Sequence, residues 1–99
     1  MTVLARFNPA YGSGKTVSPG AASASTSIGS GQKTVCVTNL NTVLCYVRIG
    51  PFGIAASAAD HPVPPNAQIF LTKSQDADTI AYIAPAGGGS LHIMPGEGF

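Results

Sequence analysis

From Lys33 onward the chain is a succession of short β-branched runs cut by Gly, Pro, Asn and Asp at intervals of about 8–12 residues, with no helical period between them. The runs read KTVCVTN (33–39), TVLCYVRIG (42–50), AQIFLTK (67–73), DTIAYIA (78–84) and GSLHIM (89–94). β-Branched side chains suit a pleated surface, and punctuation of this kind limits each run to a single strand. The pattern predicts an all-β chain, an antiparallel β-sandwich. TVLA (2–5) and GIAAS (53–57) are candidates for further short strands. ADHPVPPN (59–66) reads as a proline-stiffened loop, since proline lacks an amide donor and cannot sit mid-sheet.

KTVCVTN and TVLCYVRIG, joined through Leu40-Asn41, read as a hairpin. Alternation along the second run puts Val43, Cys45, Val47 and Ile49 on one face, with Leu44, Tyr46 and Arg48 on the other. In the run at 78–84, Ile80 and Tyr82 share a face opposite Ala81 and Ile83. Several strands are therefore apolar on both sides. A two-layer monomer presents one polar face per strand, so the second apolar face points to contact with another subunit.

Residues 8–32, NPAYGSGKTVSPGAASASTSIGSGQ, differ in kind. Gly, Ser, Ala and Thr offer little to bury and many backbone states to lose, so residues 1–32 read as a flexible extended N-terminal arm. Residues 33–99 form the sandwich domain. Sparse anchors in the arm (Phe7, Tyr11, Val17 and Ile28) suit a segment that orders against a partner, and Phe52 and Phe99 join them as candidate interface residues.

The chain has 99 residues, enough for one core, and only 9% of them are charged against about 25% in an ordinary globular domain. Mean hydropathy is +0.25, yet no run nears the roughly 18 apolar residues of a membrane span. A free monomer is better served by a well-charged surface, whereas a protein packed into an assembly can do without one. Net charge is +1 and the basic residues Arg6, Lys15, Lys33, Arg48 and Lys73 are scattered, which argues against nucleic-acid binding. The N-terminal residues show no apolar signal region, so the expected site of synthesis is a cytosol.

No constellation for catalysis stands out, and the expectation is a non-enzyme without cofactor or metal. In the hairpin reading Cys36 and Cys45 lie opposite each other. They are then either two buried free thiols or a cross-strand disulfide, a geometry its torsions make awkward. The spacing is no CxxC, and no His pair accompanies it for metal binding. Asp60-His61 resembles a catalytic fragment, but neighbours in sequence point apart and no nucleophile signature such as GxSxG occurs. His92 alternates with Leu91 and Ile93 and belongs on a sheet surface. Asp76 and Asp78 begin like a calcium loop but lack its later ligands, and PAGGGS lacks the helix and lysine of a phosphate loop.

Residues 33–99 resemble small virion proteins of tailed bacteriophages. The positions that carry the likeness are Val37, Asn39, Cys45, Tyr46, Val47 and Gly50 in the paired runs, Pro62, Val63, Pro64 and Asn66 in the loop, and the closing Pro95-Gly96-Glu97-Gly98. The resemblance implies a capsid decoration, or cement, protein: a sandwich or jelly-roll-like domain bound outside the major capsid protein shell as a dimer or trimer. It implies a virion location and a stabilising role. Two other readings stand beside it. One is a tail or connector accessory protein. The other is a glycan-binding module using Tyr11, Phe52, Phe70, Tyr82 and Phe99. The PGEG stretch reads as a turn after a last strand at 91–94, with Phe99 anchoring the tail.

Overall fold

A computed structural model describes residues 8–29, 31–74 and 76–97. Nine strands follow one another: β1 (Asn8–Pro9), β2 (Lys15–Val17), β3 (Ala24–Ser27), β4 (Thr34–Asn39), β5 (Cys45–Gly50), β6 (His61–Val63), β7 (Gln68–Thr72), β8 (Thr79–Ile83) and β9 (Leu91–Glu97). One sheet has the order β1-β9-β4-β7, with β2 also on β9, and the other has β3-β8-β5-β6. Every pairing is antiparallel. From β2 to β9, consecutive strands change sheet at every step except β5 to β6, which are neighbours in one sheet, and the resulting orders β2-β9-β4-β7 and β3-β8-β5-β6 are those of a jelly roll. The all-β sandwich expected from the sequence is the fold.

The alternation read from the sequence decides what fills the space between the sheets. Val35, Val37, Leu91 and Ile93 from one sheet meet Cys45, Val47, Val63, Ile80, Tyr82 and Ala84 from the other. Val35, Val37, Ile80, Leu91 and Ile93 are fully buried. At roughly 25 cal/mol per Å² of apolar surface removed from water, each such side chain contributes on the order of 2 kcal/mol.

Several expectations meet a different outcome. β4 and β5 are not a hairpin: β4 pairs with β7 and β9, and β5 with β6 and β8. Residues 40–44 form an arch from one sheet to the other. Alternation cannot tell the two apart, because core-facing side chains fall at the same positions whether strands pair edge to edge or face each other across the core. Cys36 and Cys45 consequently lie in different layers. Cys45 faces the core, whereas Cys36 sits on the outer face between Phe70 and Met94, and both are buried free thiols.

Within the stretch read as a separate arm, residues 15–17 pair with β9 and residues 24–27 with β8, so both sheets draw on it. Composition missed this because ladder hydrogen bonds come from the backbone and need no large side chains. His61–Val63, read as loop, is an edge strand, a sheet position that tolerates Pro62. Residues 53–57 form no strand. β9 continues through Pro95 and Gly96 to Glu97, where a turn was expected, since Asn8 and Pro9 pair with Glu97 and Gly96. The candidate strand at 2–5 lies outside the described residues.

The outer apolar face of the second sheet is partly covered by the chain itself. Gly50 faces outward with Arg48 and Ala81, and a Cβ built on it would come within 3.0 Å of Ile54 Cγ2. The Ala56 amide donates to Ser23 Oγ at 2.8 Å. Residues 54–56 thus lie along that face, and Ala81 has no exposed surface. That part of the second apolar face is met by the chain's own connection.

Candidate docking surface

The jelly-roll order gathers the connections at two ends. One end holds residues 18–23, 40–44, 64–67 and 84–90, which are knitted together by hydrogen bonds. The Asn39 amide donates to Ala67 O at 2.8 Å, Leu40 to Ser90 O at 2.8 Å and Asn66 to Asn41 O at 3.2 Å. Ala84 donates to Gly20 O at 2.9 Å and Gly89 to Pro19 O at 3.0 Å. Ala67 closes a turn by donating to Pro64 O, and Asn66 within it has φ 58°, the left-handed value that asparagine tolerates at the third position of a type II turn.

Asn39 holds this end in place. Its side chain is 1% exposed. Nδ2 donates to Val43 O at 2.7 Å and to Val63 O at 3.1 Å, while Oδ1 accepts from the Asn41 amide at 3.0 Å. One amide thus satisfies three backbone groups of the arch and of β6. The sequence placed Asn39 at the end of a strand run, before the expected bend at Leu40-Asn41, but gave no sign that it spans two sheets. Above it, Leu40 is 53% and Leu44 38% exposed.

The opposite end carries residues 28–33 and 73–78, and the 51–60 connection leaves from there and runs back along the outer face past Ser23. Lys73 is buried there: Nζ donates to Ala77 O at 2.7 Å and to Ser74 O at 3.4 Å, and its backbone amide donates to Lys33 O. This lysine organises its loop, a role the sequence did not signal. An open cleft of about 380 Å³ runs past it between Ile49, Pro51, Thr72 and Asp76. Asp60 Oδ2 accepts from the Ser57 amide at 2.7 Å, and His61 Nδ1 lies 2.9 Å from Pro62 O, so the two neighbours serve separate local contacts. Asp78 Oδ1 accepts from the Thr79 hydroxyl. His92, on the outer face of the first sheet, bonds Thr16 Oγ1 through Nδ1 at 3.1 Å. Among the described residues no group of three or more His, Cys, Asp or Glu could hold a metal ion.

The candidate interface residues separate by exposure. Tyr11 is 83% and Phe52 88% exposed, whereas Ile28 is a core residue and Val17 packs half-buried against the core. These last two are corrections: the strands pair around them and turn them inward. Tyr82 likewise faces the core, and Phe70 is 42% exposed. Phe7 and Phe99 lie outside the described residues. Burial raises the Cys45 and Tyr82 pKa values; for Cys36 burial raises it and the Thr38 hydroxyl partly offsets the shift.

No protein-family model and no curated protein matches the chain. Among solved structures, the crystal structure of PirA aligns with a TM-score of 0.59, at 13% identity, over 84% of this chain and 93% of that one. At that identity the likeness is one of fold.

Proposed function

We propose that this chain is a structural virion protein, a capsid decoration protein that binds the outer surface of a major capsid protein shell and stabilises it. The observation that carries the reading is the chemistry of the surface. Tyr11, Phe52, Leu40 and Leu44 stand exposed on a chain with 9% charged residues. Meanwhile, among the described residues, no buried side-chain nitrogen or oxygen lacks a partner. A surface of this kind offers contact area, not reacting groups. The likeness of residues 33–99 to small phage virion proteins supplies the partner.

Cementing is mass action: a ligand that binds only the assembled lattice stabilises it by RT ln(1 + [L]/Kd) per site. Repetition over a symmetric shell adds avidity, so each contact can be modest. Tyr11 and Phe52 are the aromatic contacts for neighbouring shell subunits or for further copies in a dimer or trimer. The test compares heat and salt resistance of shells with and without the protein. Shells whose resistance is unchanged by its removal refute the reading. Copy number per particle separates a shell position from a tail position.

A further inference from the structure

The charged residues are distributed unevenly along the sandwich. None of residues 18–23, 40–44, 64–67 and 84–90 is charged, and none is aromatic. The described charges lie elsewhere. Lys33, Lys73, Asp76 and Asp78 sit in the connections at the other end, and Asp60 ends the 51–60 connection. Glu97 ends β9 on that same side, Lys15 pairs with Ile93 within the body of the first sheet and sends its Nζ to Ser27 O at 2.8 Å, and Arg48 lies two residues before β5 ends. One end of the molecule is therefore neutral, and the charges lie along the body and at the other end.

We propose that the neutral end is the seat: it docks, through Leu40 and Leu44 and the flanking Pro64, Pro65 and Pro85, onto a weakly charged protein surface. This rests on the shell-binding reading, with the shell as occupant. Three observations support it. Neutral loops meet a protein surface without stripping water from charges, the largest penalty in a buried contact. The cross-loop bonds and the Asn39 clip hold the end in one arrangement before binding, so little ordering remains to be done. The chemistry of other occupants is missing from those connections: no cations for phosphates and no aromatic for stacking on a sugar.

The test uses the full chain and shells lacking it, prepared from the virus that encodes it, with bound protein measured by co-sedimentation. Leu40→Asp and Leu44→Asp place a charge in the seat; Lys33→Glu changes charge at the other end. Leu40 and Leu44 are exposed enough that folding should survive, which circular dichroism checks. Leu40→Ser serves as a milder variant if either aspartate unfolds the chain. The expected result is roughly tenfold or greater loss of shell affinity for the two aspartate variants, a loss of about 1.4 kcal/mol or more. Lys33→Glu should bind like wild type, and wild-type binding should change less than about twofold between 50 and 500 mM salt. Wild type that binds while both aspartate variants bind equally well overturns the seat but leaves the shell reading standing. Wild type that binds no shell overturns both. A wild-type dimer in solution that Leu40→Asp splits makes the occupant a second copy and overturns the proposal.

Discussion

Replacing Asn39 perturbs the fold more than its single side chain suggests. Asn39→Ala removes three hydrogen bonds with backbone groups, those with Val43 O, Val63 O and the Asn41 amide, besides a long one to Cys45 Sγ at 3.9 Å, and leaves those backbone groups in a site 1% exposed. Each made bond is worth about 1 kcal/mol net, and a buried group left bare costs about 1–3 kcal/mol. Some water will enter the space vacated, so the low end applies, and about 3–4 kcal/mol is the expected loss for the three together. Against a total of about 5–15 kcal/mol that is a large fraction, and at about 4–8 °C per kcal/mol the melting temperature should fall by roughly 15–25 °C. Asn39→Asp refines the test, being isosteric. The carboxylate still accepts from Asn41 but faces two carbonyl oxygens with no donor, so at neutral pH it should destabilise at least as much as alanine. Those carbonyls raise the folded-state pKa of the new carboxyl. Its stability deficit should therefore be smallest below about pH 4 and grow as pH rises. Urea unfolding followed by circular dichroism at two pH values measures all of this. An alanine variant within about 1 kcal/mol of wild type, or an aspartate variant that gains stability as pH rises, would refute the clip.

Two more predictions are independent of it. Burial holds the Cys36 and Cys45 thiols above their ordinary 9.0 and the Tyr82 hydroxyl above 10.0. The fold then keeps protons that the unfolded chain has already lost, so stability should decline as pH rises past 9, and the decline should be shallower in a Cys36→Ala/Cys45→Ala variant. Thiol labelling at neutral pH should wait on unfolding. At the outer face, Gly50→Val drives a side chain into Ile54, already 3.0 Å from a built Cβ, and should cost about 1–3 kcal/mol; pairing it with Ile54→Ala should recover part of that in a double-mutant cycle.

Strand identity was legible because side-chain alternation and turn chemistry are local. β4, β7 and β8 fall within one residue of the runs in the sequence, β5 begins three residues into its run, and the inward positions Cys45, Val47, Ile80 and Tyr82 follow from period two alone. Pairing partners were not legible. Residues 40–44 cross over where Asn39 reaches Val63, 24 residues away, a contact that local alternation does not encode. The arm went unread for a related reason. Ser25, Thr26 and Ser27 contribute backbone to β8 and almost nothing to hydropathy. Of the candidate interface, Tyr11 and Phe52 were visible as aromatics in turn-rich text. Ile28 looked the same in sequence, yet its amide donates to Asp78 O and its side chain enters the core.

The pairing of Asn8 with Glu97 at the end of β9 has a mechanical consequence. Tension applied through these two residues pulls adjacent antiparallel strands apart from their shared end. The load then falls on one hydrogen-bonded pair at a time, so β1 should peel from β9 like a zip before the rest of the ladder is strained. The same traction applied between Asn8 and the arch at 40–44 would instead strain many bonds at once. A molecule seated by its neutral end and tugged at residues 8 and 97 would therefore yield first at its periphery, leaving the anchored end intact.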